Sequence, residues 1–201
     1  MRTTFHPTKL LLVDTAAALM DSKAPEDISV DEVLQISGVS KGSMYHHFED
    51  LSELIEYAQI SRYSHWVDVS IKNMAEVVRS SKTKSDLLAA LKIVTQNTQS
   101  DKRKASRIER AAALSRRNAS SRYKELLGHE SDRLADGIAD LAREAQEKEL
   151  FTRNLTPYAT ALLVQAYTLG KIVDDYSFKP VPQEEWNEII YAIIERVFMA
   201  D

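Results

Sequence analysis

The sequence predicts an all-α protein of about nine helices, with a short three-helix region at the N-terminus and a longer helical region after it. Three observations favour this class. Apolar residues recur at the three- and four-residue spacing of helices along nearly all of the 201 residues. Ala, Leu, Glu, Lys and Arg, which favour helices, dominate the composition. Five glycines and five prolines are too few for the tight turns of an all-β fold.

The first two helices are short and have recognisable ends. The first is expected over about residues 8–22, with Leu12 and Ala16 on its apolar face, and Pro25 prevents its continuation. Ser29, with Glu32 three residues later, has the pattern of a capping box. Ser29 is therefore predicted to be the N-cap of the second helix.

A turn and a third short helix follow. Gly38 lies where the turn needs a positive φ, and Ser40 can cap a helix that reaches about His47. Two short helices joined by a three-residue turn with glycine are typical of a helix-turn-helix. The residues expected to face a common core are Val33, Ile36, Val39, Met44 and Phe48. The outward residues, of types that bind in a DNA major groove, are Lys41, Gly42, Ser43, Tyr45 and His46.

Longer helices are expected in the rest of the chain. Asp50 can cap a fourth helix that runs past Trp66, and Thr156 followed by Pro157 is a helix start signal. The later helices are expected over about residues 84–99, 121–149, 157–176 and 183–199.

Residues 38–48, Gly-Val-Ser-Lys-Gly-Ser-Met-Tyr-His-His-Phe, resemble the signature of the TetR family of transcription regulators. The order and spacing of the motif agree over eleven consecutive positions, and the resemblance extends over about residues 10–58, a quarter of the chain. It implies a helix-turn-helix DNA-binding domain over residues 1–49 and a helical ligand-binding and dimerisation domain over residues 50–201. The implied function is a regulator, expected to be a repressor, that a small molecule releases from double-stranded operator DNA.

The resemblance also implies roles for individual residues. Those expected near base edges are Lys41, Gly42, Ser43 and His46. Tyr45 and His47 are expected on phosphates, and Ser29 is expected to cap the second helix toward the DNA backbone.

Several features depart from the family pattern. Leu51 stands where a lysine usually contacts phosphate, Leu34 replaces a small residue of the second helix, and residues 23–25 replace a glycine after the first helix. Residues 1–60 contain four Lys or Arg and ten Asp or Glu, a net charge of −6. Weak non-specific DNA affinity is therefore expected, since that affinity comes from phosphate neutralisation. The alternative function is a protein-binding adaptor, derived from a helix-turn-helix protein, whose DNA binding is weak or lost.

The later helices supply candidate residues for dimerisation and ligand binding. The last two long helices have more apolar surface than one small core needs to bury, so a homodimer is expected. Its candidate interface residues are Tyr158, Leu162, Gln165, Leu169, Ile172, Ile189, Ile190, Ile193 and Val197. The candidate residues for an unidentified small-molecule effector are Trp66, Leu91, Gln96, Tyr123, Leu127 and Tyr167; ordinary core packing remains the alternative for each.

Residues 101–124 contain nine Lys or Arg and two acidic residues, a net charge of +7. Three interpretations stay open for this stretch: a solvated surface, an entrance that attracts an anionic ligand, or a contact with the acidic N-terminal region.

Other classes of function find little support in the sequence. The chain has no cysteine, so disulfides and thiolate metal sites are excluded. The five histidines lack metal-ligand spacing, and the sequence contains neither a phosphate-binding glycine loop nor a nucleophile elbow. Neither an enzyme nor a metal or other cofactor is expected. The longest early apolar run, residues 10–13, is too short for a signal peptide or a membrane span, so a cytoplasmic protein without membrane contact is expected.

Overall fold

The computed structural model describes residues 6–116 and 119–200, and the regular structure of this part of the chain is helical. Nine helices of at least seven residues occur in it: α1 Pro7–Leu19, α2 Val30–Ser37, α3 Lys41–His47, α4 Leu51–Ser80, α5 Lys84–Thr98, α6 Lys104–Ser115, α7 Ser121–Glu147, α8 Pro157–Gly170 and α10 Gln183–Ile193. A one-turn helix, α9 Ile172–Asp175, precedes α10, and a π-helical turn, Ile194–Phe198, follows it. Short 3₁₀ turns cover Pro25–Asp27 and Asp101–Arg103. The all-α class with about nine helices is confirmed.

The helices form two compact units. The first contains the described residues up to Trp66 together with Ala119–Gly128, and the second contains residues 67–116 and 129–200. Both α4 and α7 contribute residues to each unit. A functional domain boundary after residue 49 stays a prediction.

The first unit has a continuous apolar core. Its buried residues are Leu12, Val13, Ala16, Ile28, Val33, Met44, Phe48, Leu54, Ile55 and Ala58. The expectation that Ile36 faces this core is wrong, since its side chain is 60% exposed. At 100° per residue, Ile36 lies well away from the α2 stripe that contains Val30, Val33 and Leu34, which is the side that packs.

The second unit has its own core, formed by Val78, Leu87, Leu91, Leu141, Ala145, Leu150, Ile190, Ile194, Phe198 and Met199. The helix expected over residues 157–176 is interrupted after Gly170. Lys171 is buried beside the interruption and forms ion pairs with Asp174 and Asp175. These ion pairs link the residue at the interruption to the two aspartates at the end of α9.

The basic stretch 101–124 contains a helix that the sequence pattern did not delimit, α6. The interpretation of the stretch as a solvated surface is wrong for Arg107, which is fully buried. Its guanidinium donates hydrogen bonds to both carboxylate oxygens of Asp175, at 2.6 and 2.7 Å, and to the carbonyls of Thr98 and Ser100. Arg107 thus holds α6, α9 and the end of α5 together within the second unit.

None of the described helices has both the length and the apolar character that crossing a bilayer requires.

Candidate functional site

Side-chain caps and one glycine shape the helix pair α2–α3. Ser29 accepts a hydrogen bond from the backbone N–H of Glu32 at 3.3 Å, and Ser40 accepts one from Ser43 at 3.2 Å. Gly38 ends α2 with φ of 69°, in the left-handed region that favours glycine. The three expected local features are therefore present. The carboxylate of Glu32, however, accepts from Lys23 Nζ at 2.6 Å, so it does not close the expected capping box.

Two buried residues determine which face of α3 points outward. Met44 is completely buried and Phe48, directly after the helix, is 2% exposed. The opposite face leaves Lys41, Gly42, Tyr45 and His46 exposed, with Ser43 half-buried between them. One short surface thus presents the amine of Lys41, the phenol of Tyr45, the imidazole of His46 and the exposed backbone at Gly42. Such groups can bind phosphates and the edges of bases.

His47, the last residue of α3, lies beside His6, the N-cap of α1. Its ring stacks on His6 with centroids 5.1 Å apart, and the ring of His46 is 5.2 Å away. Desolvation lowers the pKa of His47, and the charges of His6, His46 and Lys9 lower it further. His6 was not among the expected site residues because it lies 41 positions from His47 in the sequence.

Lys9 is a second residue of this surface that the sequence pattern did not identify. Its Nζ lies 4.9 Å from the ring centroid of Phe48 and 4.1 Å from that of Tyr57. Burial lowers the pKa of this amine; the charge of Glu53 opposes that change, and that of Arg122 adds to it. Lys9 therefore brings an amine from α1 to the end of α3.

Glu56 anchors the start of α7 within the first unit. Its carboxylate is 5% exposed and accepts from the hydroxyl of Ser120 at 2.6 Å and from Arg122 at 3.3 Å. Arg122 also pairs with Glu53 at 3.3 Å. Part of the basic stretch therefore does contact acidic residues of the N-terminal region. Arg117, another member of the stretch, lies outside the described residues.

The six candidate ligand residues are divided between the two units. Trp66, Tyr123 and Leu127 belong to the first unit, and Leu91, Gln96 and Tyr167 belong to the second. The side chain of Gln96 is exposed, and its assignment to a ligand pocket stays a prediction; α5 buries Gln99, whose Oε1 accepts from Trp186 Nε1 at 3.1 Å. Burial raises the pKa of Tyr167 to about 12, so its phenol stays neutral.

A half-open cleft of about 1520 Å³ lies in the second unit, and none of those six residues lines it. The later part of α4, the end of α5 and the middle of α7 form its walls. Its ionisable lining residues are Asp68, Lys72, Glu76, Arg79, Lys102, Arg103, Arg133 and Asp140. Two of these residues, Asp68 and Arg133, form an ion pair at 2.5 Å. The basic stretch contributes Lys102 and Arg103, which supports its interpretation as an entrance for an anionic group.

The candidate interface residues differ in exposure. Tyr158, Leu162, Ile189 and Val197 are exposed. Gln165, Leu169, Ile172 and Ile193 are half-buried. Ile190 is 3% exposed and belongs to the core of its own unit, so its assignment to an interface between subunits is wrong. The residue on the outer side of this turn of α10 is its neighbour Ile189.

Residues 12–58 match the family model described as bacterial regulatory proteins, tetR family. The match covers the helix-turn-helix and the start of α4. No curated protein sequence matches the chain.

Solved structures resemble the whole chain. The reduced form of NemR from E. coli has 16% sequence identity and a TM-score of 0.65, with 98% of this chain and 100% of the other covered. A protein described as a TetR-family transcriptional regulator from Mesorhizobium loti has 14% identity and a TM-score of 0.68, with 94% and 93% covered. A transcriptional regulator from Saccharomonospora viridis, solved with choline, has 14% identity and a TM-score of 0.63, with 94% and 96% covered. At these identities the likeness shows the fold alone.

Proposed function

Because residues 12–58 match the TetR-family model, we propose that the chain is a TetR-family transcription regulator, a dimeric repressor that a small molecule releases from operator DNA. The family is one of DNA-binding regulators and not of enzymes. The observation that supports the proposal best is the surface of α3. Burial of Met44 and Phe48 leaves Lys41, Tyr45 and His46 free to reach a major groove.

In the proposed complex, two classes of contact hold the DNA. The residues placed near base edges are Lys41, Gly42, Ser43 and His46, and those placed on phosphates are Tyr45 and His47. Ser29 caps α2 where this helix approaches the backbone. Apart from its two neighbours and the backbone of its own helix, nothing lies within 4 Å of the position that a Cβ on Gly42 would take, so the groove side of α3 is open at this residue.

The effector is proposed to enter the cleft in the second unit. The exposed cations Lys72, Lys102 and Arg103 favour a molecule with an anionic group, and the apolar side chains of Ile71 and Leu141 can contact its hydrocarbon part. A cleft of about 1520 Å³ has room for a molecule larger than choline.

Release is proposed to follow from a shift of α4. Residues 67–80 of this helix belong to the unit with the cleft, and residues 51–66 belong to the unit with α3. A ligand that binds one position of α4 better than another shifts the population toward that position. In a dimer, this changes the separation of the two recognition helices, which must match half-sites one helical turn, about 34 Å, apart.

DNA binding is tested first, with duplexes selected from a random-sequence library by the purified protein. We expect specific binding in fluorescence polarisation, and a loss of about 1–3 kcal/mol for Lys41→Ala if this amine contacts a base. Tyr45→Ala is expected to weaken binding to all sequences alike, since it contacts phosphate. Lys179→Ala, a change in an exposed loop, is the control.

The second candidate function is a protein-binding adaptor, which the net charge of −6 over residues 1–60 favours. It predicts that the selection enriches no sequence even at low salt, although the protein is folded and dimeric. Enrichment of a sequence whose binding is lost in Lys41→Ala would exclude the adaptor.

A further inference from the structure

Three of the five histidines of the chain lie together at one end of the first unit. His6 precedes α1, and His46 and His47 end α3. The rings of His6 and His47 are stacked, with an interplanar angle of 28°, and His46 lies edge-on to His47 at 67°. Residues from two separate elements thus form one imidazole cluster, which we call the histidine cluster.

The cluster adjoins the groove-facing surface of α3. His46 is exposed and His47 is half-buried, one and two positions after Tyr45. His6 is exposed, and its Nδ1 accepts a hydrogen bond from the backbone N–H of Thr8 at 3.3 Å. A neutral imidazole that accepts at Nδ1 has its proton on Nε2, so His6 can donate from Nε2 to an anion.

Basic side chains surround His47 in the free protein. His6 and Lys9 approach it from α1 and its N-cap, and His46 from its own helix. Around Lys9 stand Glu53 of α4 and Arg122 near the start of α7. Desolvation and, after it, the charges of His6, His46 and Lys9 lower the pKa of His47, which disfavours its protonated form in the free protein. An anion bound at the cluster would reverse this balance, because a nearby negative charge favours the protonated imidazole.

We infer that His6 and His47 form one binding site for a backbone phosphate of DNA, beside His46 at the base edges, and that His47 takes up a proton when the phosphate binds. The inference rests on the proposed DNA-binding function. Residues 1–60 have only four Lys or Arg, and Leu51 stands where the family signature has a lysine. Histidinium then supplies part of the positive charge that phosphate binding needs, and supplies it only in the bound state.

The inference is tested by the pH dependence of DNA affinity. The probe is a duplex selected by the wild-type chain at pH 6.5, titrated by fluorescence polarisation between pH 6 and pH 8 at constant ionic strength. For each proton taken up, the association constant is expected to fall about tenfold for each unit of pH, over the range between the pKa values of the free and bound site.

Two substitutions of His47 separate charge from shape. His47→Gln removes the titrating group, so its affinity should be weaker than the wild-type value at pH 6 and change little between pH 6 and pH 8. His47→Arg keeps a permanent cation, so its affinity should also change little with pH but stay close to the wild-type value at pH 6. His65→Gln, at an exposed histidine of α4, is the matched control and should keep the wild-type pH dependence.

The outcomes distinguish this inference from the proposed function. Specific binding that is equally strong at pH 6 and pH 8 overturns the histidine site and leaves the regulator in place. Wild-type pH dependence in His47→Gln also overturns it. Absence of specific binding at every pH, from a folded dimer, contradicts both the DNA-binding function and the site.

Discussion

At the scale of single residues, the pair formed by Arg107 and Asp175 illustrates how burial determines the role of a charge. The Arg107 side chain is inaccessible to solvent and that of Asp175 is 2% exposed. Burial raises the pKa of Asp175, but the hydrogen bonds and charge of Arg107 outweigh it, so the pKa lies below the ordinary 3.8. Lys171 lowers the pKa of the neighbouring Asp174 through a hydrogen bond, helped by the backbone N–H of Val181. Both carboxylates are therefore ionised in the folded protein.

Asp175→Asn is expected to reduce the free energy of unfolding by about 3–5 kcal/mol at pH 7, because it leaves the Arg107 charge buried without its partner. Since the folded-state pKa of Asp175 is lowered, the stability it contributes is present above the unfolded pKa of 3.8 and is lost as pH falls below it. The difference between wild type and variant should therefore shrink at pH 3. Urea denaturation at both pH values measures it.

The control for this prediction is Asp140→Asn. Asp140 pairs with Arg143 at 2.5 Å, but 72% of its side chain is exposed, so the change should cost at most about 0.5 kcal/mol. Equal losses in the two variants would contradict the structural role of the buried pair.

At the scale of an element, α7 contains two glycines in different surroundings. A Cβ on Gly137 would lie 2.7 Å from Cδ1 of Ile71 in α4, whereas a Cβ on Gly128 would meet nothing within 4 Å. Gly137 therefore allows α4 and α7 to approach closely beside the cleft. Gly128 has only the conformational cost of a glycine inside a helix.

Gly128→Ala is expected to raise the free energy of unfolding by about 0.5–1 kcal/mol, the usual gain from alanine in a helix. Gly137→Ala should gain less than this or lose stability, because Ile71 must move to accommodate the new methyl group. Thermal unfolding of the two variants side by side measures the difference. Equal gains would show that the Ile71 side chain rotates away without cost.

At the scale of the whole molecule, charge and exposed apolar surface are unequally distributed. The chain has a net charge of −4, yet residues 1–60 alone have −6. Large apolar side chains are exposed on both α8 and α10, among them Leu162 and Ile189. The exposed apolar residues favour a binding surface at the last helices, whereas the acidic N-terminal region favours weak non-specific DNA binding.

The double substitution of Leu162 and Ile189 by Glu is expected to convert the proposed dimer to a monomer, because burying two carboxylates in each subunit at an apolar interface is highly unfavourable. Multi-angle light scattering measures the mass, and circular dichroism checks that the helices remain. Ile93→Glu is the control, since Ile93 is as exposed as Ile189, at 59%, but lies on α5. Dissociation in the control, or its absence in the double variant, would place the interface elsewhere.

The sequence by itself determined the helical class, the caps at Ser29, Ser40 and Asp50, and the turn at Gly38. It also identified the outward face of α3. These features depend on residues within four positions of one another, and helix geometry converts such spacing directly into direction. The family match over residues 12–58 confirms the interpretation of this segment.

Only the tertiary structure decided the features that depend on distant residues. The partner of the buried Arg107 is Asp175, 68 positions later in the sequence. Glu56 accepts a hydrogen bond from Ser120, 64 positions later. Ile189 and Ile190 look alike in an apolar run, but packing buries one and exposes the other. The position of the cleft and the approach of His6 to His47 are likewise set by contacts between elements. Periodicity identifies an apolar or charged residue, but its partner is set by how the helices pack.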